Sequence, residues 1–230
     1  MFVGLLTCCL TVSASIIAHY PITGGSAASI DSEPNSLAGN ADIGGGPQAD
    51  WGFSGSTNTV FARTQAIDGI FGTPGSEAGS VAANDYLGFT VSPAVSYAMH
   101  LTSLTFDTDY HGSHASQTLE MNWFVRSSLD GFAATIPSST FTEAYTRREA
   151  INLTNRVVDL STPAFQALTT PTEFRVYVWD DSVSDRRYAR FDNVVLNGSL
   201  VSTVPEPPTL ALAGLGFMSV LLGFHRCRES

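Results

Sequence analysis

Apolar and polar positions alternate most plainly where Leu119, Met121, Trp123 and Val125 are interleaved with Glu120, Asn122, Phe124 and Arg126. A period of two is the mark of a strand with one face buried, and it predicts that the first set points inward. Further strands are predicted at Tyr86 to Val91, Tyr97 to Phe106, Phe174 to Trp179 and Tyr188 to Leu196, with Asp130-Gly131 as a turn. Ile151, Leu153 and Val157 alternate with Asn152, Thr154 and Arg156 in another strand that runs to Leu160. Strands arriving at this regular spacing predict an all-β sandwich.

Before that series the pattern is looser. His19 to Gly24 reads as a first strand, with Pro21 suited to an edge or a strand start. Gly24 to Gly46 is rich in Gly, Ala, Ser and Asn and reads as a long surface loop with room for one short strand; Trp51 to Phe53 and Thr59 to Arg63 restart the sheet, and Gly69 to Gly79 reads as a second loop. Thr162 to Leu168 reads as one helical turn, with Thr162 at the cap and Pro163 at the first helical position. Pairing of the His19 to Gly24 strand with the last strand is expected of a jelly roll.

The two ends follow neither pattern. Residues 1–18 carry Val3, Leu5, Leu6, Leu10 and Val12, then Ser13-Ala14-Ser15, and read as a signal segment ending near Ala18, although its start has no Lys or Arg. Thr7 before Cys8 departs from a lipoprotein box. At the other end Pro205, Pro207 and Pro208 hold the chain extended, so Glu206 stands on a stiff arm. Thr209 to Phe224 carries no charge; as a helix it covers about 24 Å, somewhat less than the ~30 Å of bilayer hydrocarbon. Arg226 and Arg228 then mark the cytoplasmic side by the positive-inside tendency.

Val204-Pro205-Glu206-Pro207, the apolar run and the terminal arginines resemble the PEP-CTERM sorting signal of Gram-negative-type bacteria. The resemblance implies an exported protein that pauses in the inner membrane. An exosortase then recognises Pro205, Glu206 and Pro207 and removes the hydrophobic helix, with Arg226 and Arg228 as its basic end. The organisation expected is a signal segment at 1–18, one β-sandwich over 19–200, a linker with the motif at 201–208, a sorting helix at 209–224 and a basic tail at 225–230.

Composition changes this picture in two ways. The chain has a net charge of −10 and no lysine; with both ends set aside, nine arginines face nineteen carboxylates. Such a surface repels polyanions, which excludes nucleic acid as an expected partner. Cys8, Cys9 and Cys227 lie in the two end segments, so the body is expected to be held by its core alone, and a thiolate zinc site there is excluded.

The body is similar to jelly-roll domains found upstream of this tail in planctomycete-like bacteria, through Trp123 to Phe132, Phe174 to Val178 and Arg190 to Gly198. Those domains look like carbohydrate-binding modules, which implies a fold and leaves an extracellular polysaccharide open as a partner. Trp51, Trp123, Tyr177, Trp179 and Tyr188 offer a sugar-stacking platform, with Tyr177 and Trp179 the candidate ligand-binding pair; aromatics on strands are first of all core and cross-strand partners.

Asp107, Asp109, His111 and His114 read as a polar loop that either binds a metal or is solvated, and Asp180, Asp181, Ser182, Ser184 and Asp185 as a loop lacking the glycine and distal glutamate of a calcium hand. Asp192 on the last strand is the candidate ligand for a structural calcium, against an ion pair or a bulge cap. No cofactor beyond that is expected. Glu143 and Glu149 are the one pair offered for glycoside hydrolysis; no nucleophile elbow, zinc-binding helix or phosphate loop accompanies them, and the chain is expected not to be an enzyme.

Overall fold

The computed structural model describes residues 15–22, 26–30, 33–44, 51–54, 59–63, 75–84, 86–112, 119–145, 154–180 and 187–204. In chain order the strands are β1 (Ser15–Tyr20), β2 (Ser36–Ala38), β3 (Asp42–Ile43), β4 (Trp51–Ser54), β5 (Thr59–Arg63), β6 (Tyr86–Pro93), β7 (Tyr97–Gly112), β8 (Leu119–Ser127), β9 (Phe141–Tyr145), β10 (Thr154–Asp159), β11 (Thr172–Asp180) and β12 (Arg187–Ser202). One helix, α1 (Glu77–Ala83), precedes β6. Both sheets are six-stranded: the first runs β10-β7-β12-β5-β4 with β1 also on β12, and the second runs β2-β6-β11-β8-β9 with β3 on β6. The pairings are antiparallel.

The two sheets share one apolar core, as a sandwich must. Leu104, Phe106, Val158, Phe191 and Leu196 of the first sheet meet Leu87, Phe89, Trp123, Val125, Phe174 and Val176 of the second. Within it Phe89 stacks on Phe174 with ring centroids 5.7 Å apart, and Phe106 meets Phe141 edge-on at 6.0 Å. The alternation read in β8 is realised, with Met121, Trp123 and Val125 fully buried.

The first strand docks on the last, and it begins earlier than its sequence suggests: β1 starts at Ser15, so Ser15 to Ala18 stand in the sheet. Ile17 and Ala18 are fully buried. β12 in turn continues to Ser202, beyond the expected boundary at 200. In β10 the faces are reversed from the apolar pattern. Val157 is 55% exposed, whereas Arg156 turns in over the Trp123 and Phe141 rings, at 5.2 and 5.6 Å from their centroids. Val158 and Leu160 fill the core, and a shift of one residue moves every side chain to the other face.

Residues expected in the second loop instead extend into α1. Ser76 Oγ accepts the Gly79 N–H at 3.1 Å, and Asn84 closes the helix in the left-handed conformation. The helix lies against β11, where Ser80 Oγ donates to the Val178 carbonyl at 2.9 Å. The turn after Thr162 is a short 3-10 helix, Pro163–Phe165, with no side-chain cap from Thr162.

Candidate functional site

Two regions carry the residues singled out by the sequence. The first is the end of β12. Ser202 pairs with Tyr97, and the Thr203 N–H donates to the Ser96 carbonyl at 2.8 Å. The Val204 N–H reaches Ser202 Oγ at 3.3 Å, so the backbone is tied to the sandwich up to the residue before Pro205. Pro205, Glu206, Pro207, Arg226 and Arg228 lie outside the described residues, as does the apolar run between them. Among the described residues no helix is long and apolar enough to cross a membrane.

The second region is the outer face of the first sheet. Asp192 is opposite Asp107 in the β12–β7 ladder, and the register then shifts before Val195. The extra residue is Asn193, held at φ 50°, a left-handed conformation that Asn tolerates better than most residues. The bulge turns the Asn193 side chain along the sheet. Its Nδ2 donates to Asp107 Oδ2 at 3.4 Å, its Oδ1 lies 2.8 Å from His19 Nε2, and Asn155 Nδ2 donates to Asp107 Oδ1 at 3.1 Å. A polar row thus crosses four strands, from Asn155 through Asp107 and Asn193 to His19.

Asp192 sits beside this row, its Oδ1 accepting the Asn193 N–H at 2.7 Å. Burial pushes its carboxyl above the usual aspartate range, and the nearby Asp107 charge adds to the rise; the Asn193 N–H and His19 oppose it. Calcium needs six to eight oxygens. Here both Asp107 oxygens already accept amides, and among the described residues no group of three or more His, Cys, Asp or Glu could hold a metal ion.

The other candidates are dispersed. Asp107, Asp109 and His111 belong to β7 rather than to a loop, because the strand pairs with β12 as far as Gly112; His114 lies outside the described residues, as do Asp181, Ser182, Ser184 and Asp185. Tyr177 is 1% exposed, stacked on Phe124 with ring centroids 5.0 Å apart, and its ring is not presented to a ligand. Trp123 is core, Trp179 is half-buried on β11, and the side chains of Trp51 and Tyr188 are outside the description. Glu143 is taken up by Arg156, whose Nη2 donates to it at 2.6 Å, and Glu149 is not described.

The face of the second sheet that carries Tyr177 is closed by charge pairing as well as by α1. Arg126 donates to Glu77 at 2.9 Å, and Thr135 also donates to that carboxylate. Burial raises the Glu77 carboxyl, but these two partners outweigh it and hold the group below its ordinary range. Arg175 lies between the Tyr86 and Phe132 rings, 4.3 and 3.7 Å from their centroids, and donates to Glu173 at 2.6 Å.

Comparison with known proteins bears first on the tail. Residues 203–228 match the PEP-CTERM protein-sorting motif. The match starts one residue after β12 ends, so the folded body leads straight into the sorting signal. No curated protein matches the chain. Among solved structures, a mannan-recognising carbohydrate-binding module, TmCBM27, is 11% identical over 81% of this chain and 98% of its own, with a TM-score of 0.38. The CBM22-1 xylan-binding domain of Paenibacillus barcinonensis Xyn10C is 11% identical over 82% of this chain and 97% of its own, with a TM-score of 0.34. An adhesin domain of Lys-gingipain from Porphyromonas gingivalis is 16% identical over 70% of this chain and 96% of its own, at 0.35. Likeness at this level carries no argument about what this chain binds.

Proposed function

We propose that this is an exported protein of the cell envelope or extracellular matrix, with a jelly-roll body and a non-enzymatic role. It is delivered by its C-terminal signal, held transiently in the inner membrane and cut near Glu206-Pro207 by an exosortase. The observation that carries this reading is the direct passage from the last rung of β12 into residues that match the sorting motif. A sandwich tied down to Val204 leaves only Pro205 to Pro208 between the domain and the apolar run, about 14 Å of extended chain. The domain then rides against the membrane until it is released. A non-enzymatic role is favoured because Glu143, the carboxylate offered for hydrolysis, is engaged by Arg156.

Replacing Pro205, Glu206 and Pro207 together by Ala tests the processing step. The apolar run and both arginines remain, so insertion continues while release stops, and the protein accumulates in the membrane fraction. Undiminished release of the triple variant would remove the motif from the account.

A second reading, binding of an extracellular polysaccharide, is favoured by the polar row on the outer face of the first sheet. Carboxylate, amide and imidazole groups held in line match the donors and acceptors of a sugar chain. Polysaccharide pull-down with His19→Ala and Asn193→Ala separates this from a purely structural role: retention lost in both variants supports it, and no retention of the parent protein sinks it.

A further inference from the structure

The start of β1 bears on where the N-terminal segment is removed. Ser15 is opposite Gly198, with its Oγ donating to the Gly198 carbonyl at 3.4 Å, and the ladder continues to Tyr20 opposite Val194. Ile17 and Ala18 are 0% exposed and Tyr20 is 1% exposed. Ser36 Oγ donates to the Ile17 carbonyl at 3.2 Å, which ties β2 to this strand. Removal of the chain up to Ala18 would therefore take two residues out of the core, strip Ser36 of an acceptor and leave β12 unpaired opposite Ile16 and Ala18.

Local sequence points the same way. Export peptidases require small residues just before the bond they cut, in an A-x-A-like pattern that follows a short apolar run. A cut after Ala18 would place Ile16 two residues before Ala18 and Ile17 beside it. A cut after Ala14 places the smaller Val12 and Ser13 in those positions, with Phe2 to Leu10 as the preceding apolar run. We propose that the signal segment is removed by hydrolysis of the Ala14–Ser15 bond, so that the mature chain begins with the first residue of β1. Water is the co-reactant; Ala14 leaves with the new carboxylate and Ser15 keeps the new amine.

The topology gives both processing bonds one location. β1 and β12 are antiparallel, with Ser15 beside Gly198 and the exit of β12 at Ser202. The start of the mature chain and the approach to Pro205 thus lie at the same end of the sandwich. A domain whose two membrane-directed segments leave from one end presents that end to the membrane for both cuts.

The inference rests on the export reading of the N-terminal segment, and the test separates the two. The full chain is expressed with its own N-terminus in an exporting bacterium, free amines are blocked, and the N-terminal peptide released by cleavage after Arg63, the first arginine of a chain without lysine, is identified by mass. The expected peptide is Ser15 to Arg63. An exported chain beginning at His19 would overturn the site and leave export standing; a chain retaining Met1 and not exported would overturn both. In the Ala14→Gln variant, altered outside the described strand, the Ser15 terminus should be lost and the uncut precursor retained. An unchanged Ser15 terminus in that variant would contradict recognition of Ala14.

Discussion

Asp192 and Asp107 stand opposite each other across β12 and β7, two carboxylates on one face of the sheet. Burial first, and the Asp107 charge second, raise the Asp192 pKa on folding. The folded state therefore holds that proton more tightly than the unfolded one. The resulting stability is complete below the ordinary aspartate range and is lost as pH rises through the raised value. At neutral pH the Asp192 charge is a cost.

Asp192→Asn should therefore raise the melting temperature at pH 7, and the gain should vanish in acid. Since the site is partly solvated, the expected rise is about 1–2 °C. Thermal denaturation across pH measures it. Calcium and chelator in the same assay give a second readout. An unchanged melting temperature is expected, because each Asp107 oxygen already accepts an amide, from Asn155 or from Asn193; a rise on adding calcium would make the carboxylate pair a ligand set.

Gly198 is required by a close approach of backbone. A Cβ there would lie 2.5 Å from the His100 carbonyl oxygen, at the second register shift between β12 and β7. Gly198→Ala should force these two strands apart and destabilise the fold by about 2 kcal/mol or more. Urea unfolding measures this, and a variant with an unchanged midpoint would show that the backbone yields at no cost.

Arg156 and Glu143 join the edges of the two sheets, β10 to β9, and the guanidinium covers Trp123 and Phe141. Their side chains are 15% and 25% exposed, so the pair is partly shielded from water. Arg156→Ala should cost about 2–3 kcal/mol, since it uncovers two rings and leaves a shielded carboxylate alone. Glu143→Gln should cost less, and a double-mutant cycle should show coupling of about 1 kcal/mol. Additive effects would mean that the two residues stabilise the sandwich independently.

Much of the fold was legible because its strands are local patterns. The alternation in β8 gave its buried face directly, and pairing of the first strand with the last was expected of a jelly roll, although residues 15–18 read locally as the end of a signal segment rather than as β1. The reversed face of β10 was not legible, because what makes Arg156 an inward residue is Glu143 and Trp123 on the other sheet. Helix α1 was hidden by Gly79 within seven residues, although Ser76 and Asn84 are the caps that such a helix uses. Missing α1 also made Tyr177 look available: alternation places it on the outer face, and the helix packed on that strand was not foreseen.

The polar row was the least legible feature. Its four members, His19, Asp107, Asn155 and Asn193, are far apart in the chain and meet only through strand register. The one local sign was Asp192-Asn193 within an otherwise apolar strand, a pair suited to a bulge. The sorting tail is the opposite case: its features are consecutive in sequence and need no tertiary context to be read.

Intact-mass measurement of the protein recovered from the cell surface and the culture fluid decides whether the tail is a sorting signal. A mature chain that ends near Glu206 and lacks Thr209 to Ser230 is expected there, while the membrane fraction holds the precursor. A released protein that still carries Thr209 to Ser230 would contradict this expectation and leave the tail as a permanent anchor.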